Sequence, residues 1–239
     1  MEEKDYVIVA YGDSITKGVI YNSEDKKYTT LKDNFINIVS DSIKGTIYNA
    51  GKFGSTISRG MTKLYSDVIR KTPDIVLIEF GGNDCNFNWA EIATNPEELH
   101  KPNTDIFLFK DTLIEMIKAF TSSNIKPILL TLPPLDPLKY FNWISKDDSK
   151  SKENILNWLG SKDTLFNWHN TYNQVISEVA IYTRTPMIDI RGAFLKTSNY
   201  SKLLCSDGIH PNSEGHTFIA EILLSYIKDN FNFLLKNKV

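Results

Sequence analysis

Four short segments of this 239-residue chain hold residue types whose combination could perform acyl chemistry. Gly12-Asp13-Ser14-Ile15-Thr16-Lys17-Gly18 follows directly on an apolar run, so the Ser14 hydroxyl falls where a strand ends. A hydroxyl becomes a nucleophile when a base takes its proton. The segment is not a Gly-x-Ser-x-Gly elbow, because Thr16 stands where the second glycine would be. Its Gly and Lys spacing is not that of a phosphate loop. Cys205-Ser206-Asp207-Gly208-Ile209-His210-Pro211-Asn212 sets an acid three residues before a histidine with a glycine turn between them. That spacing lets the carboxylate fold back on the imidazole, fix its tautomer and leave the other ring nitrogen free as a base. Gly81-Gly82-Asn83-Asp84 offers an amide able to donate to a developing oxyanion. In Asn49-Ala50-Gly51-Lys52-Phe53-Gly54-Ser55-Thr56, Gly54 can present a backbone N–H at the start of a helix. Each segment also has a plain alternative: Asp13 and Ser14 as a helix cap, the glycines as turns, Asp207 as an Asx-turn.

The elements around these segments decide between the readings. Five short apolar runs are expected as strands: Tyr6–Tyr11, Thr46–Ala50, Ile75–Phe80, Pro127–Leu132 and Pro186–Ile190. Continuous runs suit strands buried on both faces, as in a parallel sheet. Between them lie stripes of helical period, including Leu31/Phe35/Ile38/Val39, Met61/Leu64/Tyr65/Val68 and Leu113/Ile114/Ile117/Phe120. Tyr172/Val175/Ile176/Val179/Ala180 and Phe218/Ile219/Ile222/Leu223/Tyr226 continue the series. Alternating strands and helices predict an α/β fold, a three-layer sandwich with a five-stranded, mainly parallel sheet. No internal repeat or Gly/Ser-rich linker divides the chain, so residues 1–239 are read as one domain. One stretch breaks the rhythm: 133–168 is several times the usual strand-to-helix connection and is read as an insertion with some helix of its own.

In such a sheet, ligands bind beyond the carboxyl ends of the strands. The serine, the two donor segments and the Asp-His pair all fall at strand ends or just before the last helix. Four segments in this order are far less expected by accident than any one alone. Together they resemble the GDSL family of lipases and esterases, also called SGNH hydrolases, whose four blocks are named for Ser, Gly, Asn and His. The matching positions are Ser14, Gly54, Asn83 and His210; Ile15 stands where the family has leucine.

The resemblance implies a flavodoxin-like sandwich and a serine hydrolase that needs no metal or other cofactor. In it Ser14 attacks an ester carbonyl, His210 moves the proton and Asp207 orients His210. The backbone N–H groups of Ser14 and Gly54, with the Asn83 side chain, form the oxyanion hole. Asp13, Asp84, Trp143 and Trp168 are the further residues expected at the substrate, with the alternative that Asp84 holds the Asn83 loop by hydrogen bonds. The expected substrate is a small acyl ester, with an O-acetylated carbohydrate among the candidates. An acyltransferase using the same triad is the alternative, and a non-catalytic binding module is a third.

Composition excludes other classes. Twenty-seven Lys+Arg against 29 Asp+Glu leave a net charge of −2, which argues against a protein held to nucleic acid by phosphate contacts. No apolar run reaches the ~20 residues of a membrane span. Aromatic content of 12% and regular apolar runs exclude a disordered chain. Cys85 and Cys205 do not make a disulfide framework and are expected as free thiols near the site, a bridge between their loops being the alternative. His100, His169 and His216 have no metal-binding spacing. The charged start Met1-Glu2-Glu3-Lys4-Asp5 is unlike a signal peptide, so a cytoplasmic location is expected. Tyr140, Phe141, Trp143, Trp158, Phe166 and Trp168 either line a substrate pocket or pack the insertion on its own domain.

Overall fold

The structure, a computed structural model, describes residues 5–236. The first strand, β1 (Val7–Gly12), explains the architecture by its two faces. Val9 and Tyr11 enter one apolar core, Ile8 and Ala10 the other. A strand buried on both sides needs helices above and below it.

Along the chain β1 leads into α1 (Ser14–Lys17), then a hairpin of β2 (Val19–Asn22) and β3 (Lys27–Thr30), and α2 (Phe35–Ser42). β4 (Thr46–Asn49), α3 (Ile57–Asp67) and β5 (Ile75–Glu79) follow, then α4 (Trp89–Thr94), α5 (Ile106–Ser122) and β6 (Lys126–Leu130). The remainder is α6 (Pro137–Ile144), α7 (Ser149–Leu159), α8 (Asp163–Thr183), β7 (Met187–Ile188), α9 (Ile190–Leu195) and α10 (Ser213–Asn230). The main sheet has the order β4-β1-β5-β6-β7, with every neighbouring pair parallel.

One face of the sheet is covered by α3, α5 and α8, whose Leu64, Phe109, Leu113, Phe120, Tyr172 and Val179 pack on Val9, Tyr11, Val76 and Ile78. The other is covered by α2, α9 and α10 through Phe35, Val39, Phe194, Ile219 and Leu223. The expected three-layer sandwich and five-stranded sheet are therefore observed. The strand order reverses beside β1, which makes the crevice at the carboxyl ends of β1 and β5 the topological switch point.

Three local departures from the sequence expectations have physical causes. The fifth run is a strand for only Met187–Ile188, because the Asp189 side chain accepts from Gly192 N and starts α9. α2 begins at Phe35 rather than Leu31, because Asn34 caps it by accepting from Ile36 N and Asn37 N. The hairpin was not expected: its strands have four residues each, with only Val19 buried, too short a run for a period of two to stand out. It is held by Tyr21, which faces Tyr28 across the hairpin with ring centroids 5.2 Å apart. Among the described residues no helix is long and apolar enough to cross a membrane.

The 133–168 stretch forms α6, α7 and the first turns of α8, so its end lies inside a helix that covers the sheet. Phe141, Ile144, Ile155, Leu159 and Leu165 make a separate small core there. Ile92 of α4 and the preceding Phe87 and Trp89 join that core, so the β5–α5 connection shares in building the excursion.

Candidate active site

Ser14 opens α1 immediately beyond β1. The turn requires glycine at position 12: a Cβ there would lie 2.1 Å from Thr16 Oγ1 and 2.3 Å from the Glu79 carbonyl oxygen. Asp13 caps α1 by accepting from Ile15 N at 2.8 Å. The helix-cap reading of Asp13 is thus correct as far as it goes, and the cap is what aims Ser14 at the sheet edge.

The Asp207–His210 loop approaches from the segment before α10. It is pinned by Cys205 N donating to the His210 carbonyl at 2.8 Å and by the bridge between Leu204 and Pro211. Asp207 is fully buried and accepts from Ile209 N at 3.1 Å and His210 N at 3.2 Å through Oδ1. Its Oδ2 lies 2.6 Å from His210 Nδ1. Nδ1 therefore carries the proton, and Nε2 is left as an acceptor for the Ser14 hydroxyl 2.9 Å away. The spacing Asp-x-x-His brings the acid back on the imidazole as expected.

Two donor segments face the same space. Gly54 has φ +67°, a left-handed conformation suited to glycine, and nothing occupies the space its Cβ would take. Asn83 Nδ2 donates one N–H to Asp13 Oδ2 at 2.9 Å, which leaves the second for a ligand. Asn103 Nδ2 in turn donates to the Asn83 carbonyl at 2.9 Å and holds that loop. Ser14, Gly54, Asn83 and His210 all line one cavity of about 930 Å³, a size suited to a small organic ligand.

Asp13 has a second, buried partner. Glu79, at the end of β5, is 2% exposed and accepts from Thr16 Oγ1 at 2.8 Å through Oε2. Burial first, then the neighbouring Asp13 carboxylate, pushes the Glu79 carboxyl well above the usual carboxylate range. Burial raises the Asp13 carboxyl as well, so the two neighbouring buried acids together hold a proton that exposed carboxylates would lose. A group whose pKa is raised on folding stabilises fully below its unfolded value, and that contribution is lost as pH rises through the folded value. Glu79→Gln keeps a donor for Asp13 and an acceptor for Thr16 but cannot ionise. It is expected to flatten the decline in stability as pH rises above the carboxylate range. Denaturation midpoints from about pH 5 to about pH 9 check this; an unchanged slope contradicts the shared proton.

The remaining predicted residues divide. Trp143 and Trp168 line the cavity, and so does Asp13. Asp84 does not: it is fully buried, accepts from Ile57 N at 3.0 and 3.2 Å, and ties the start of α3 to the β5 loop. Burial lifts its carboxyl to about 6. Of the other insertion aromatics Tyr140 lines the cavity, while Phe141, Trp158 and Phe166 belong to the small core. Cys85 and Cys205 are both free and buried. His216 lies fully buried in α10, stacked on Phe35, with its pKa held at about 4 by burial.

Sequence reasoning missed the aromatic rim. Tyr28 on the hairpin lies 5.2 Å from the His210 ring, and Phe53 stacks on the same ring at 6.4 Å. Tyr21 meets Trp143 at 4.4 Å and closes the rim from the insertion side. Two tyrosines flanking the polar stretch Asn22–Lys27 are the signal that could have revealed the hairpin.

A chain with this sheet, and with a serine, an imidazole and a carboxylate in line at its edge, is a member of the GDSL-like lipase/acylhydrolase family, whose model matches residues 10–218. The fold is shared with a lipase/acylhydrolase from Enterococcus faecalis, at TM-score 0.71 and 22% identity, covering 98% of this chain and 99% of that one. It is shared too with Axe2, an acetylxylan esterase from Geobacillus stearothermophilus, at TM-score 0.65 and 20% identity over 97% of both chains. In sequence the chain is 28% identical over 187 residues to the uncharacterized lipoprotein YqeF of Bacillus subtilis (strain 168), covering 76% of this chain and 69% of that protein.

Proposed function

We propose that the protein hydrolyses small acyl esters through an acyl-enzyme on Ser14. The observation that carries this reading is the hydrogen-bonded line from Asp207 Oδ2 through both nitrogens of His210 to Ser14 Oγ, opening on one cavity. In the first half-reaction Ser14 Oγ attacks the carbonyl carbon while His210 Nε2 takes its proton. The imidazolium, stabilised by Asp207, then gives that proton to the leaving alkoxide. Water, deprotonated by the same nitrogen, attacks the acyl-enzyme and releases the acid.

The carbonyl oxygen becomes negative in both halves. Its donors are the backbone N–H groups of Ser14 and Gly54 and the free N–H of Asn83. Asn83→Ala is expected to lower kcat by about 10²–10³ with a smaller change in KM, because the charge exists only in the transition state. Steady-state kinetics on one activated ester check this, and an unchanged kcat removes Asn83 from the hole.

The cavity's aromatic rim and its volume suit a carbohydrate carrying O-acetyl groups, the kind of substrate named for Axe2. The test is a panel of p-nitrophenyl esters of graded length beside acetylated xylooligosaccharides, with Ser14→Ala as the blank. Release of acid above the blank supports the reading. Acyl transfer to an added alcohol without acid release replaces it by a transferase.

A further inference from the structure

Away from Ser14, the cavity wall includes His169 of α8, and behind it lies Arg191 of α9. Arg191 is 3% exposed, and its Nη1 sits 3.1 Å from His169 Nδ1. Guanidinium nitrogens only donate, so Nδ1 is the acceptor and His169 carries its proton on Nε2. Burial first, and the Arg191 charge second, hold the His169 pKa at about 3, so the ring stays neutral. Nε2 has no protein partner among the described residues and is not among the fully enclosed polar atoms. It is a fixed N–H donor left to the cavity.

Arg191 itself is poorly compensated. Its Nε and Nη2 have no hydrogen-bond partner, and no carboxylate stands within ion-pair distance of it among the described residues. The Asp189 carboxylate makes no ion pair with it, and its Oδ1 accepts from Thr131 Oγ1 and Gly192 N. The guanidinium carbon lies over the Phe166 ring, 4.6 Å from its centroid. A buried cation without a counter-ion is costly, and packing alone would be met better by an apolar side chain of the same length. The charge does have an outlet: it polarises the His169 N–H toward the cavity.

We propose that His169, backed by Arg191, binds a carboxylate of the substrate remote from the scissile ester. This rests on the esterase reading above and specifies its substrate class: esters whose acyl or alcohol half carries an acid group. Arg191 is fixed to the ends of β6 and β7 through its N–H to Thr131 Oγ1. Those strands are two and three spacings from β1, which puts the Arg191 backbone about 10–14 Å from β1 along the sheet edge and the His169 donor well apart from Ser14. His169 is then a binding residue, and Arg191 a positioning residue acting through it.

The test compares kcat/KM for pairs of esters that differ only at the far end, methyl or carboxylate, at graded lengths. One series is p-nitrophenyl monoesters of diacids against those of simple acids. The other is acetyl esters of ω-hydroxy acids against those of simple alcohols. The wild type is expected to prefer the carboxylate by about ten-fold or more at one length in one series. His169→Phe is expected to abolish the preference. His169→Gln, whose amide can accept from Arg191 and donate to the cavity, is expected to keep part of it, and Arg191→Met to diminish it. Hydrolysis of methyl-ended esters with no carboxylate preference at any length overturns the proposal, as does a preference that survives in His169→Phe. If the wild type hydrolyses no ester and Ser14 resists a fluorophosphonate, the esterase reading falls and takes this proposal with it. In the first failure Ser14 is still labelled, so the two are distinguishable.

Discussion

Ser14→Ala is expected to lower kcat for ester hydrolysis by about 10⁶, to the level of the background reaction in practice. The hydroxyl's hydrogen bond is to Nε2 of His210, a residue that lines the cavity. Removing it therefore leaves no enclosed polar atom stranded, and alanine suits the first turn of α1. The melting temperature should hold while the activity is lost. The residues should also act as a unit: adding His210→Ala to Ser14→Ala should cost little more, because no nucleophile remains for the base to serve. Two independent losses that multiply would show that His210 works on some other group.

Asp207→Asn should cost about 10⁴ in kcat, and here the structure says why. Oδ1 of Asp207 accepts from two backbone N–H groups, Ile209 and His210. An asparagine in this pocket must turn its carbonyl oxygen to those donors, which aims its NH₂ at His210 Nδ1. Nδ1 must then accept, so the ring proton moves to Nε2 and the imidazole can no longer take the proton of Ser14. The loss should appear in kcat with little change in KM, and Asp207→Ala should be less damaging than its larger volume change suggests. A wild-type kcat for Asp207→Asn would mean that His210 keeps its tautomer without the carboxylate.

Much of this site is legible in the sequence because its parts are local. Asp207 and His210 are three residues apart, and Gly208 makes the turn between them, so the pair follows from spacing alone. Ser14, Gly54 and Asn83 follow strand-like runs, and a parallel sheet gathers strand ends on one edge. What the sequence hides is contact between distant segments. Glu79 ends an apolar run and gives no hint that it meets Asp13, 66 positions earlier in the chain. Trp143 reads as an insertion residue until the hairpin brings Tyr21 against it. Asp84 adjoins Asn83 and reads either as a site residue or as a brace for its loop, and only the turn of the β5 loop toward the start of α3 decides for the brace. His169 looks like any helical histidine, because Arg191 gives it meaning only once α8 and α9 lie side by side.

The excursion beyond α5 shows the same limit. Its length and its aromatics mark 133–168 as a departure from the alternating rhythm. Its inner boundary cannot be read, because α8 runs without a break from the excursion onto the sheet. Asp163 opens that helix beside the small core and Val179 sits in the large one. One helix therefore ties the cavity wall at Trp168 and His169 to the sheet that carries Ser14.

The most direct test of the central claim is stoichiometric labelling of the intact protein with a fluorophosphonate, read by mass spectrometry of the digested chain. The predicted result is one equivalent of probe on the peptide containing Ser14, loss of ester hydrolysis in step with labelling, and no labelling of Ser14→Ala. Hydrolysis that persists in a chain fully labelled at Ser14, or in Ser14→Ala, would contradict the account.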